Sequence, residues 1–373
     1  MQASTRLARS RALLVAGLLG ALTACQVLPP EQGVGTAAGA VRARTVEKAS
    51  EVALAFERLE PQVIALLPEA RERRVDVWVQ ELPALYRFAP RAYQDADGFF
   101  SESEDRIHLR EGADSLERTL AHELVHAHLR GAWRRLPGTL EEGLCDHVSG
   151  ELVPAARSGL RAGRLSCAAF ALGGLTLDLS LRLPPSADDT APRLAFLARL
   201  TLEGDAPMTV DPTGVFERSA GLSTARLGTA QKKAYYGLAY LVAERLVERV
   251  GIEGLHQLCA EARDHEEPRV DRDVLLAAAG LSEDPSSWRA ALETEFEPGD
   301  LRELVRAHPE FLVRTIAEFL GPHLAGKGSL DGVEAELTLA GTDTRVELLS
   351  IDAVRDGLVA ALHAPSADVL VGR

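Results

Sequence analysis

At 373 residues, with 46% hydrophobic and 26% charged side chains, the chain has the make-up of a globular protein able to bury a sizeable core, which excludes a disordered or fibrous polymer. A formal net charge of −14 argues against nucleic acid as a partner, because phosphate backbones are bound by basic surfaces. The acidic balance does not identify a substrate, since it fits an exported soluble domain as readily as one that prefers basic peptides.

Met1 to Ala24 carries Arg6, Arg9 and Arg11, then an apolar run from Ala12, and no acidic residue. That run is shorter than the roughly 20 residues a spanning helix needs, and the pattern is that of a secretory signal. Leu22-Thr23-Ala24-Cys25 resembles the bacterial lipobox. The resemblance implies that Cys25 is lipid-modified and begins the mature chain, which would be anchored in the cell envelope. By resemblance to enterobacterial lipoproteins, Gln26 after the Cys implies the outer membrane, facing the periplasm. Residues 25–44 are rich in Pro, Gly, Ala and Gln without hydrophobic period and suit a flexible tether, so the fold is expected to begin near Thr45.

Residues 45–67 place apolar side chains at helical spacing up to Pro68. Val75 to Val79, Gly98 to Phe100 and Arg106 to Arg110 have the alternation of strands, the last two separated by the polar turn Ser101 to Asp105. Next comes Thr119-Leu120-Ala121-His122-Glu123-Leu124-Val125-His126. On a helix, residues i and i+4 share a face, so His122 and His126 can offer ring nitrogens to one ion while Glu123 flanks its open position. A catalytic zinc takes three protein ligands and keeps a fourth position open. A second helical segment, Leu140-Glu141-Glu142-Gly143-Leu144-Cys145-Asp146-His147, can deliver the third ligand after a turn-rich connection from Arg130 to Thr139.

This pairing of an HExxH helix with a Leu-Glu-Glu-Gly-Leu segment resembles the gluzincin metallopeptidases, the group that includes thermolysin-like and aminopeptidase-like enzymes. The resemblance implies an α+β zincin fold, one zinc per chain on His122, His126 and Glu142, Glu123 as general base, and Asp146 as the acid that orients a histidine ligand. It covers roughly Val75 to Gly251 and departs from the family in a shorter connection between the two motifs, so that Glu141, Asp146 and His147 stay open as substitutes for Glu142. In the zincin order of elements, Arg106 to Arg110 would be the edge strand over a substrate cleft. His108 is not expected to be a ligand, and His128 is expected to be solvated.

Cys145, Cys167 and Cys259 are the remaining thiols. A Cys145 to Cys167 disulfide and small buried thiols are both open readings in an exported chain. Arg193 to Leu202 is read as a helix, and a long irregular stretch follows Gly204. Ala234 to Val250, closed by Gly251, is a helix led by several Tyr. It resembles the Tyr-led helix downstream of the zinc in gluzincin-like proteins. Aligned so, Tyr236 would donate to the oxyanion of the reaction, with aromatic packing as the alternative. Helices are expected over Glu253 to Arg263, Val270 to Ala279, Pro285 to Phe296, Asp300 to Ala307 and Phe311 to Leu320, followed by a strand at Val333 to Leu337 and a helix near Ile351 to Leu362.

The expected organisation is a signal (1–24), a tether (25–44), a zincin N-terminal part (45–180), a mainly helical part (181–325) and a tail (326–373). The function this implies is a zinc metallopeptidase acting on peptide or protein substrates, membrane-bound through its N-terminal lipid. A non-catalytic lipoprotein on the same scaffold, or a zinc hydrolase of a non-peptide amide, is the alternative.

Overall fold

The computed structural model describes residues 30–71, 73–81, 96–183, 193–202, 210–217, 229–307 and 334–347. The signal, Cys25, and the helices expected at 311–320 and 351–362 lie outside the described residues. The protein is of mixed α+β class and divides into two compact units, residues 1–62 with 71–127, and residues 63–70 with 128–373.

The first unit holds β1 (Gln32–Gly35), β2 (Ala40–Ala43), most of α1 (Val46–Leu66), β3 (Asp76–Gln80), β4 (Gly98–Ser101), β5 (Arg106–Arg110) and nearly all of α2 (Leu116–His128). Its five strands form one sheet in the order β1-β2-β3-β5-β4, with β2, β3 and β5 parallel and an antiparallel strand at each edge. Alternation puts Val77, Val79, Ile107 and Leu109 on one face, all almost fully buried. The buried Ala49, Val52, Ala53, Phe56 and Leu59 recur three and four apart on α1, as do Leu120, Ala121, Leu124 and Val125 on α2, the stripe a helix buries. A Cβ on Gly98 would stand 2.8 Å from the Thr119 methyl, so the start of α2 lies directly against β4.

Two expectations change here. The sheet begins at Gln32, ahead of Thr45, because β1 and β2 are four-residue strands whose pairing outweighs their Gly and Ala content. β5 is an interior strand between β3 and β4, and the edge is β4. Accordingly Ile107, His108 and Leu109 are all buried, which a one-sided edge strand would not require.

The second unit is built on α3 (Gly138–Leu152), α4 (Pro154–Leu172) and α6 (Thr229–Asp264), followed by α7 (Arg272–Ala279), α8 (Pro285–Glu295) and α9 (Pro298–Ala307). A short α5 (Gly214–Glu217) precedes α6. Pro154 opens α4, where its missing N–H costs nothing, and Gly173 in the left-handed region (φ 93°) closes it. α6 leaves helical geometry at Gly251 (φ 74°, ψ 170°), where the sequence places a helix end. A second sheet, β7-β6-β8-β9, is antiparallel throughout and joins β6 (Leu175–Leu183) and β7 (Arg193–Leu202) to β8 (Glu334–Leu339) and β9 (Arg345–Glu347).

Arg193 to Leu202 is therefore a strand and not a helix. Its apolar residues satisfy both spacings, and nine residue pairs with β6 decide for the strand. The boundary expected after residue 180 falls inside β6. Among the described residues, no helix is long and apolar enough to cross a membrane.

Candidate metal centre

α2 carries the HExxH stretch through its last turns. The rings of His122 and His126 lie with centroids 5.0 Å apart at 67°, as the i, i+4 spacing requires. His122 and Glu123 are buried and His126 is half-buried. His128 is buried rather than solvated, at 1% exposure. His108 is buried as well, stacked on Phe99 at 4.6 Å, with Nε2 3.1 Å from a Glu104 carboxylate oxygen. Burial lowers its pKa, against the opposing pull of Glu104.

A turn-rich stretch is expected from Arg130 to Thr139, and a short helical turn lies within it. Residues Gly131–Arg135 form a 3-10 helix entered through Gly131 at φ 60°, and a Cβ there would meet the Glu69 carboxylate at 2.1 Å. Glu69 accepts the Ala132 N–H at 3.0 Å and the Arg263 guanidinium at 2.9 Å, while the Trp133 indole N–H donates to the Pro68 carbonyl at 2.9 Å. The Ala132 N–H first, then Arg263, hold the Glu69 carboxyl down at about 2. A carboxylate whose folded pKa lies below its unfolded value stabilises fully above about pH 4.5, and that contribution is lost as pH falls toward 2. Thermal unfolding followed across that window should show a steeper acid loss for wild type than for Glu69→Gln. Parallel curves would remove Glu69 from the account.

α3 then presents Glu142, Cys145 and Asp146 as buried residues and Glu141 and His147 as half-buried ones. Gly143 explains how α3 is seated. A Cβ at this position would stand 2.2 Å from the Ala239 carbonyl oxygen of α6, so the two helix backbones touch. Gly237 does the same for α6 against α4, where a Cβ would fall 2.4 Å from the Ala168 nitrogen. The Gly of the Leu-Glu-Glu-Gly-Leu segment and the Gly inside the Tyr-led helix are thus two contacts of one three-helix packing.

Polar groups beneath α3 are tied together. Asp146, fully buried, accepts from Arg164 Nε at 2.6 Å, and the Arg164 guanidinium lies 4.6 Å over the Tyr236 ring. His147 Nδ1 is 2.5 Å from Glu244, which also pairs with Arg161, and Arg161 Nε donates to Asp300 at 3.0 Å. Burial pushes the His147 imidazole down to about 4, so it is neutral at physiological pH. Cys145 and Cys259 are buried and Cys167 half-buried, and no disulfide joins these described thiols. This favours the reading of small thiols over a Cys145 to Cys167 bridge.

His122, His126 and Cys145 form a group that can hold a metal ion: each offers one ligand atom, and the three atoms lie within 4.8 Å of one another. Two imidazoles and a thiolate are ligands that zinc accepts, and they leave one coordination position open. Glu142, three residues before Cys145 on α3, is not one of the three. Sequence reasoning places Cys145 among candidate disulfide partners. The signal that points to it as a ligand is its i+3 spacing from Glu142 on one helix face. No family model, curated protein or solved structure matches the chain.

Proposed function

We propose that this protein is a zinc-dependent metallopeptidase of zincin type, borne on an envelope lipoprotein anchored through Cys25. The observation that carries the proposal is the gathering of His122, His126 and Cys145, with Glu123 buried between the two histidines on α2. His122 and His126 would hold zinc together with a third ligand from α3, either Cys145 by the gathered atoms or Glu142 by the family resemblance. Zinc supplies Lewis acidity there and brings the pKa of water toward about 7.

The rest falls to the chain's own residues. Glu123 takes a proton from the attacking water and delivers it to the departing amine, the two transfers peptide hydrolysis needs. A carboxylate beside an open metal position has this use in an enzyme and none in a purely structural site, which favours catalysis over a binding scaffold. Tyr236, half-buried under the Arg164 guanidinium, serves as a hydrogen-bond donor to the oxyanion. Asp146, which accepts from Arg164 at one carboxylate oxygen, would orient a histidine ligand, as the family resemblance implies.

The test is turnover of an unbiased peptide library read by mass spectrometry. Cleavage should vanish on chelation and return with added zinc. Cleavage indifferent to chelation, or absent from the zinc-loaded protein, would reject the peptidase reading.

A further inference from the structure

Arg164 itself has no assigned part in metal binding or proton transfer, although it touches two residues of the proposed site. Its Nε is fixed by the fully buried Asp146, one face of its guanidinium lies over Tyr236, and about a quarter of the side chain (24%) is exposed. Among the described residues Asp146 is the one side chain that accepts from it, which leaves the Nη edge for another anion. Lys233, exposed on α6, precedes Tyr236 by three residues and so shares its helix face. The charges of Arg164 and Lys233 both act on the Cys167 thiol, which burial pushes up and these two cations pull down, so they flank one spot.

Arg164 and Lys233 thus both stand near the Cys167 thiol, with Asp146 paired to Arg164, in a chain whose net charge is −14. Two neighbouring cations on an acidic protein attract an anion that most of the surface repels. The guanidinium fork matches a carboxylate, and a side chain already held on two sides loses little freedom on binding. Asp146 directly follows Cys145 along α3, which ties this spot to the helix that contributes to the metal group.

We propose that Arg164, with Lys233, forms a carboxylate-recognition subsite, so that the preferred substrates are peptides presenting a carboxylate close to the scissile bond. The inference rests on the peptidase reading for its substrate class. The carboxylate can be the peptide's C-terminus or an acidic side chain, and the test separates the two.

Binding is measured by calorimetry on the zinc-loaded Glu123→Gln protein, which should hold peptides without cleaving them. Three N-acetylated peptides that differ only at the C-terminal residue are used: one with a free C-terminus, its amide, and an amide with Glu in place of the last residue. The free acid, the Glu peptide or both should bind roughly ten- to a hundred-fold tighter than the plain amide, and whichever does names the source. Arg164→Gln should bring that ratio close to one. Lys233→Gln, on the surface and outside the helix packing, should lower it as well, and it carries the test if Arg164→Gln fails to fold. Equal affinity for all three peptides, no binding of any, or a ratio that survives both substitutions would overturn the subsite. Cleavage of amidated peptides by wild type would leave the peptidase reading standing without the subsite. A carboxylate preference in binding without any wild-type cleavage would do the reverse.

Discussion

Glu123→Gln should abolish turnover of every peptide that wild type cleaves, a loss of at least about 10²- to 10⁴-fold, while the folded protein keeps its metal. The substitution preserves the size of a buried side chain and removes its negative charge and its capacity to carry a proton. It lies on α2 beside two imidazoles that the change does not touch. A variant that folds, binds zinc as wild type does and still cleaves would show that Glu123 is not the base. Loss of activity together with loss of metal would assign Glu123 to metal binding. Steady-state kinetics alongside metal analysis of the same samples separates these outcomes.

Gly143→Ala should be strongly destabilising. The added Cβ meets backbone on α6, 2.2 Å from the Ala239 oxygen and 2.5 Å from its carbon, and neither atom can rotate away as a side chain would. α3 must then shift off α6, at a cost at or above the usual range for overpacking, about 3 kcal/mol or more. Gly159→Ala is the matching control, because it is exposed on α4 with nothing within 4 Å of the new atom. Replacing a mid-helix Gly by Ala there should stabilise by about 0.5–1 kcal/mol. Thermal unfolding of the two variants should therefore move in opposite directions from wild type. A Gly143→Ala protein as stable as wild type would contradict the close approach of the two helices.

What can be read from the sequence is what depends on neighbours in the chain. The His122, Glu123, His126 spacing is complete within five residues, and α1, β3, β4, β5, α7, α8 and α9 each carry their own periodicity or caps. Asp271 and Asp284 illustrate the last point, since each accepts the backbone N–H two residues on and starts its helix as an Asp in that position does. Whatever depends on partners far along the chain is less visible. Arg193 to Leu202 fits a helix as well as a strand until β6 is beside it, and Leu175 to Leu183, a regular alternation, gains its role only from strands on both sides. The interior place of β5 follows from pairing with β3, which no local pattern encodes.

The candidate site divides the same way. Glu142 stands out because a Glu-Gly pair is a local signal, whereas Cys145 emerges from distances to residues nineteen and more positions earlier. Gly143 looks like part of a motif in the sequence, and the structure gives it a packing reason in Ala239. Arg164 has no mark in the sequence at all. Its meaning comes from Asp146 and Tyr236, which reach it from two other helices.

Zinc counted per folded chain, by native mass spectrometry after dialysis, tests the central claim most directly. Wild type should retain one zinc, and His122→Ala/His126→Ala none. Within the same series, whichever of Cys145→Ser and Glu142→Ala loses the ion identifies the third ligand. Wild type without zinc, or the double histidine variant with as much zinc as wild type, would contradict the account at its root.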